Sequence, residues 1–201
     1  MTVLLFGFEP FSEYSENPSE IIVRNLNGNV IEGHKIIGVI LPVVYDKLEE
    51  MVTQSIRRYQ PNLILGIGLA PGRTKITPEK IAINYKYSRI PDNMGVTYKG
   101  QRIDMNEPDG IFSNLPVEEL VEYLKSKNIP SEISLSAGSY ICNMTMFLVL
   151  REAKGIGARG GFIHIPCHEK CAIESKRDMA FMSLDKMQEA INLAIQFYLK
   201  N

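Results

Sequence analysis

"NLILGIG", residues 62–68, is a dense apolar run that ends on glycine. A run so short and continuous reads as a strand buried on both faces, as in a parallel sheet covered by helices on either side. Working outward, "TVLLFGF" (2–8) and "HKIIGVILPV" (34–43) precede it and "GGFIHIP" (160–166) follows, each readable as a further strand. Helical patterns lie between them. Asn17 as N-cap, Pro18 at the first helical position and Glu20 three residues after the cap open one helix. From Tyr45, the positions Leu48, Val52, Ile56 and Tyr59 recur at helical spacing until Pro61 closes the segment. Val117, Leu120, Val121 and Leu124 mark a third helix, and Tyr140 to about Ala153 a fourth. The last is capped by Ser183 and faced by Met187, Ile191, Ala194, Ile195 and Tyr198.

Two segments break the alternation. Residues 69–112 are rich in Pro, Gly, Asn and Asp, and within them Ile81, Ile83, Tyr85 and Tyr87 alternate, which predicts a β-excursion. Residues 167–182 read as a loop, and "EISLSAG" (132–138) as one more strand. The expectation is an α/β fold with a mainly parallel sheet, in one domain spanning 1–201. A net charge of -1 gives no reason to expect nucleic acid or an anionic membrane as partner. No apolar run is long enough to span a bilayer and "MTVLLFGFEPF" lacks the marks of a signal peptide, so a cytoplasmic protein is expected. Three cysteines in a chain of this length do not read as a disulfide framework.

Chemistry in such sheets sits beyond the carboxyl ends of the strands. "FGFEPF", "GIGLAPGR", the excursion with Glu79, "AGSYICN" and "HIPCHEKC" all fall there. If Ser139 caps the fourth helix, Cys142 lies in its first turn, where free N–H groups and the dipole favour a thiolate and lower its pKa. The same thiol beside Met144, Met146 and Phe147 also reads as a buried core cysteine. Of three histidines, His34 opens its strand at the amino end, His168 is in a polar loop, and His164 ends a buried run at the carboxyl rim. His164 is therefore the best base available, although a histidine there also suits a hydrogen-bonded core. Glu79 is a candidate to orient that base, with Glu9 and Glu169 as rivals; on its own it also reads as a solvated turn residue. Phe8 and Phe11 equally suit core packing, and Arg73 and Arg89 equally suit solvated or structural positions.

Two other motifs compete. Gly66, Gly68 and Gly72 resemble a phosphate loop, but "RTKITPEKIAINY" offers β-alternation where a nucleotide fold needs a helix. The glycines read instead as room for a tight turn and a close ligand. "HIPCHEKC" holds His164, Cys167, His168 and Cys171, four soft-metal ligand types in one short segment, with no second Cys/His pair to complete a tetrahedron. A metal-binding module on that segment, or a nucleoside or phosphosugar enzyme on the glycine loop, stand as the alternatives.

Five blocks in order, "FGFEPF" with "NPS", "GLAPGRTKITPEKIAIN", "RIPDN", "AGSYICN" and "GFIHIP", resemble the signature of pyroglutamyl peptidase type I, or pyrrolidone carboxyl peptidase, over essentially the whole chain. The resemblance implies an α/β/α sandwich, commonly tetrameric, acting as a cysteine peptidase without cofactor or metal on peptides with N-terminal pyroglutamate. It implies Cys142 as nucleophile, His164 as base and Glu79 as its orienter. It further implies Arg89 near the oxyanion, Phe8 and Phe11 as walls of the ring pocket, and backbone groups near Leu69, Tyr140 and Ile141 for the lactam. The chain departs from the family at Phe6, where many members carry threonine, and at Phe147, which replaces an aromatic hydroxyl. It departs again at "CHEKC", which follows the histidine block, and has no cysteine in its last helix.

Overall fold

The structure, a computed structural model, describes residues 1–176 and 178–201. In chain order the elements are β1 (Thr2–Phe8), α1 (Pro18–Leu26), β2 (Val30–Ile31), β3 (His34–Leu41), α2 (Tyr45–Tyr59) and β4 (Leu63–Leu69). β5 (Thr77–Pro78), β6 (Ile81–Ile83), β7 (Lys86–Tyr87), β8 (Lys99–Gln101), β9 (Gly110–Phe112) and α3 (Val117–Ser126) follow. α4 (Ile141–Ile156), β10 (Arg159–Ile165), α5 (Glu169–Glu174) and α6 (Leu184–Lys200) complete the chain. The main sheet has the order β2-β3-β1-β4-β10-β5. β3, β1, β4 and β10 are parallel, while short β2 and β5 close the two edges antiparallel.

The period of two along each strand sorts side chains between two cores. Val3, Leu5, Leu63, Leu65, Ile67, Ile163 and Ile165 pack against α1, α3 and α6. Leu4, Phe6, Ile64 and Phe162 pack on the other face against α2 and α4. Sheet and helices thus form the expected α/β/α sandwich. Phe6 and Phe147, the two substituted positions, are both fully buried in the α2/α4 core. The N-caps read at Asn17 and Ser183 are formed, each side chain accepting from a first-turn N–H.

The excursion is present as two small ribbons, β6 with β9 and β7 with β8, and as β5, which joins the main sheet. Three local expectations are corrected. "EISLSAG" is not a strand: it runs beside residues 76–80 through isolated bridges at Ser131 and Ser134, because β5 already occupies the edge of β10. Its alternating Ile133 and Leu135 face outward, at 40% and 72% exposure. The 167–182 loop contains α5, whose Cys171 is buried. Ser139 does not cap α4; the N-cap is Tyr140, with no side-chain bond, and the Ser139 hydroxyl donates instead to the Tyr87 carbonyl.

Candidate active site

His164 reaches the site by strand period alone. It shares the α4 face of β10 with Phe162, two residues before it, and pairs in register with Gly68 of β4. Both rings are in contact, centroids 4.9 Å apart. Glu79 comes from the edge: β5 pairs antiparallel with β10, and the Glu79 amide donates to the Phe162 carbonyl at 2.9 Å. Its fully buried carboxylate then lies 2.6 Å, through Oε1, from His164 Nδ1. Burial works against the charge on Glu79, yet the hydrogen bond and charge of His164, with help from Arg73, hold its pKa below the usual 4.5. An ionised carboxylate has no proton to give, so Nδ1 carries the hydrogen and Nε2 is left as the basic nitrogen. Burial pulls the His164 pKa below 6.5 despite the attraction of Glu79, so the resting imidazole is neutral near pH 7.

Cys142 is the second residue of α4, next to the uncapped N-terminus. The first backbone bond of the helix is from the Met144 amide to the Tyr140 carbonyl, so the Ile141, Cys142 and Asn143 amides precede the ladder. Cys142 Sγ rests on Gly68: a Cβ built there would stand 2.9 Å from the sulfur. Since Gly68 is the register partner of His164, thiol and imidazole sit over neighbouring strands, a lateral spacing of about 4.8 Å. The expected lowering of the thiol pKa is not what the surroundings produce. Burial first, then the Glu79 charge, push Cys142 up to about 12 against the opposing pull of Arg73 and of its own amide. At rest the pair is thiol and neutral imidazole.

A cavity of about 180 Å³ opens on these groups. Phe8, Phe11, Leu69, Tyr140 and Ile141 line it with Cys142 and His164, so all of the expected pocket residues except Arg89 converge there. Arg89 is exposed and lines an adjoining cleft, on the other side of Tyr140. Sequence reasoning missed Val43, Pro71 and Ala137 in the lining, and Asn17, whose cap role hid its place at the cavity. It also missed the position of Arg73, whose Nη1 is 2.7 Å from Glu79 Oε1; no spacing signal separated it from Arg89.

The glycines have a concrete use. A Cβ on Gly66 would meet the Phe162 ring at 2.3 Å, and one on Gly68 both that ring and the thiol, while Gly72 turns with φ +89. They admit an aromatic ring and a sulfur, not a phosphate. The segment "HIPCHEKC" divides: His164 turns to Glu79, whereas Cys167, His168 and Cys171 are buried with Tyr14 and Met179 nearby. His168 Nδ1 is 3.0 Å from Cys171 Sγ, and its Nε2 is 3.3 Å from Glu16. Among the described residues no group of three or more His, Cys, Asp and Glu is placed to hold a metal. The rival acceptors Glu9 and Glu169 are both exposed.

A thiol, an imidazole and a buried carboxylate bonded to it, gathered beyond the strands of a parallel sheet, are the groups of a cysteine-class hydrolase on an α/β scaffold. The family model described as pyroglutamyl peptidase matches residues 1–201, and the chain belongs to that family. It is 57% identical to the pyrrolidone-carboxylate peptidase of Saccharolobus islandicus, over 100% of this chain and 96% of that one. It is 37% identical to the protein of the same name from Oceanobacillus iheyensis, over 96% of both. Among solved structures, pyrrolidone carboxyl peptidase of Pyrococcus furiosus superposes with a TM-score of 0.96 at 36% identity, covering 100% of this chain and 99% of that one.

Proposed function

We propose that the protein is a cysteine exopeptidase that hydrolyses the bond after an N-terminal pyroglutamyl residue, with Cys142 as nucleophile, His164 as general base and acid, and Glu79 as the orienter of His164. The observation that carries this reading is the 2.6 Å contact between Glu79 and His164 Nδ1 on the strand beside the Cys142 sulfur. Substrate binding brings its exocyclic carbonyl to the thiol, and His164 Nε2 takes the proton as the Cys142 sulfur attacks. The amides at the start of α4 are the donors for the oxyanion. His164 then gives its proton to the leaving amine, and water activated by the same nitrogen hydrolyses the thioester. Arg89, in the adjoining cleft, approaches the oxyanion only if the 87–90 segment shifts when substrate binds.

Pyroglutamate suits the cavity on physical grounds. It is a neutral five-membered lactam without an α-ammonium, and a cavity of about 180 Å³ with the Phe8 and Phe11 rings in its wall offers it aromatic faces and no carboxylate. Backbone groups of Leu69, Tyr140 and Ile141 bind the ring N–H and C=O. An odd count of three cysteines, which is no disulfide framework, supports a reducing, cytoplasmic setting. Exposed Phe112 (64%) and Leu135 (72%) support self-association as a homotetramer, which light scattering on the purified protein tests. The activity test is release of a dye from a pyroglutamyl amide. The matching prolyl amide, which lacks the ring carbonyl, should react at least about 10⁴-fold more slowly. Comparable rates on the two substrates would reject the pocket assignment.

A further inference from the structure

We propose that Arg73 is a positioning residue: its guanidinium holds the Glu79 carboxylate in place and ties it to the segment leading into Cys142, so that base and nucleophile keep a common frame. The proposal rests on the triad reading above and goes beyond it, since Arg73 touches neither substrate nor reacting atoms.

Three observations carry it. Arg73 Nη1 donates to Glu79 Oε1 at 2.7 Å, the same oxygen that accepts from His164 Nδ1 at 2.6 Å. The same Nη1 donates to Thr77 Oγ1, and that hydroxyl donates to the backbone carbonyl of His164 at 3.3 Å. Arg73 therefore reaches His164 twice, through the carboxylate to the ring and through Thr77 to the main chain. Finally, Nη2 donates at 3.1 Å to the carbonyl of Ser136, next to the cavity-lining Ala137 and six residues before the nucleophile. Three acceptors from two stretches of chain, Thr77 and Glu79 on one and Ser136 on the other, are met by one planar fork, a geometry a lysine ammonium does not reproduce.

The charge acts in the same direction on every group it faces. Glu79, His164 and Cys142 lie on its inner side, and its positive charge favours the deprotonated form of each. On its outer side is Glu132, already paired with Lys75 at 2.6 Å. Removing the guanidinium should therefore move the whole pH–rate profile to higher pH, besides loosening Glu79.

The test compares the full-length wild type with R73M, R73K, E79Q, R73M/E79Q and C142A on a pyroglutamyl amide. In R73M, kcat should fall about 10- to 100-fold, as for other groups that orient a reacting side chain. KM should change by less than about threefold, because the ring pocket is untouched. The kcat/KM profile should shift to higher pH, and R73K should restore the profile but only part of kcat. In the E79Q background, R73M should cost clearly less than in the wild type, since the route through the carboxylate is already cut while those through Thr77 and Ser136 remain. An unchanged kcat and profile in R73M, or equal losses in both backgrounds, would overturn the proposal. If R73M does not fold, R73K decides: kcat at least about fivefold below wild type with an unchanged melting temperature supports it, and wild-type kcat overturns it. An active C142A would instead reject the triad reading, and is distinguishable because it leaves Arg73 intact.

Discussion

Gly68→Ala is the sharpest probe of where the nucleophile rests. The added methyl would stand 2.9 Å from Cys142 Sγ and 2.8 Å from the far end of the Phe162 ring. An ordinary contact is near 3.7 Å, so the sulfur must retreat by roughly 0.8 Å, away from the strand position paired with His164. A displacement of that order from the reacting geometry costs about 10²-fold in rate. The fold should tolerate the change better than the chemistry does, because the atoms in the way are a thiol and a ring edge rather than backbone. Overpacking of this kind costs about 1–3 kcal/mol, and the lower half of that range fits here. The melting temperature should then drop by only a few degrees, at about 2–4 °C per kcal/mol for a chain of this size. Gly66→Ala is the internal control. Its methyl would lie 2.3 Å from the body of the Phe162 ring, and its three nearest contacts are all on that ring. It should cost more stability than Gly68→Ala and less activity per folded molecule. The assay is pyroglutamyl-amide hydrolysis at saturating substrate, beside a thermal melt and the rate of Cys142 alkylation. If Gly68→Ala retains wild-type kcat and alkylation rate, the sulfur does not rest on Gly68 and the register argument fails.

Cys142→Ser should lose nearly all activity while Cys167→Ser and Cys171→Ser keep theirs. Limiting iodoacetamide followed by peptide mapping should find Cys142 first, since the other two thiols are fully buried; preferential labelling of either would count against the assignment. Acid should weaken the fold through the site. The folded pKa values of His164 and Glu79 are both depressed, so the unfolded chain binds more protons, from 6.5 downward for His164 and from 4.5 downward for Glu79. Urea midpoints should therefore rise with pH up to about 6.5, and His164→Gln should flatten that rise above pH 4.5; an unchanged slope in the variant would refute it. Phe162→Leu combined with Gly68→Ala should relieve the ring clash but not the thiol clash. Stability should recover by about 1 kcal/mol over Gly68→Ala alone while kcat stays low, and recovery of both would show the ring to be the whole cause.

The parts of the fold legible in the sequence are those where one physical signal dominates. Continuous apolar runs gave β1, β3, β4 and β10, and the caps at Asn17 and Ser183 mark the ends of α1 and α6 as formed. "EISLSAG" misled because alternation fixes a period of two but not a free edge, and β5 had taken that edge. α5 was hidden by its six residues, too few to show a helical period. For the site, position on the rim nominated Cys142, His164 and, among rivals, Glu79, and the family blocks selected those three. Arg73 could not be told from Arg89 because its meaning lies in three acceptors spread from Thr77 to Ser136, which only the folded chain brings together. The thiol pKa was misjudged for a related reason. A helix start can be read along the chain, whereas the burial and the Glu79 charge that outweigh it cannot.

That last reversal bears on how the site works. A thiol held up near 12 beside an imidazole held down below 6.5 is protonated at rest, so on the proposed mechanism the thiolate is made only when a proton moves to His164. The groups that favour this transfer are already fixed: Glu79 ionised against Nδ1, Arg73 behind it, and the amides at the α4 start for the charge that develops. None of them needs to reorganise when substrate arrives, which is where preorganised dipoles gain most over water. Phe162 makes the arrangement rigid from below. Its ring occupies the room left by Gly66 and Gly68, contacts His164 at 4.9 Å and neighbours Phe8 of the ring pocket at 6.1 Å. The floor of the site is thus the α2/α4 core itself, and a change in core packing there is a change in the distance between the Cys142 sulfur and the His164 ring.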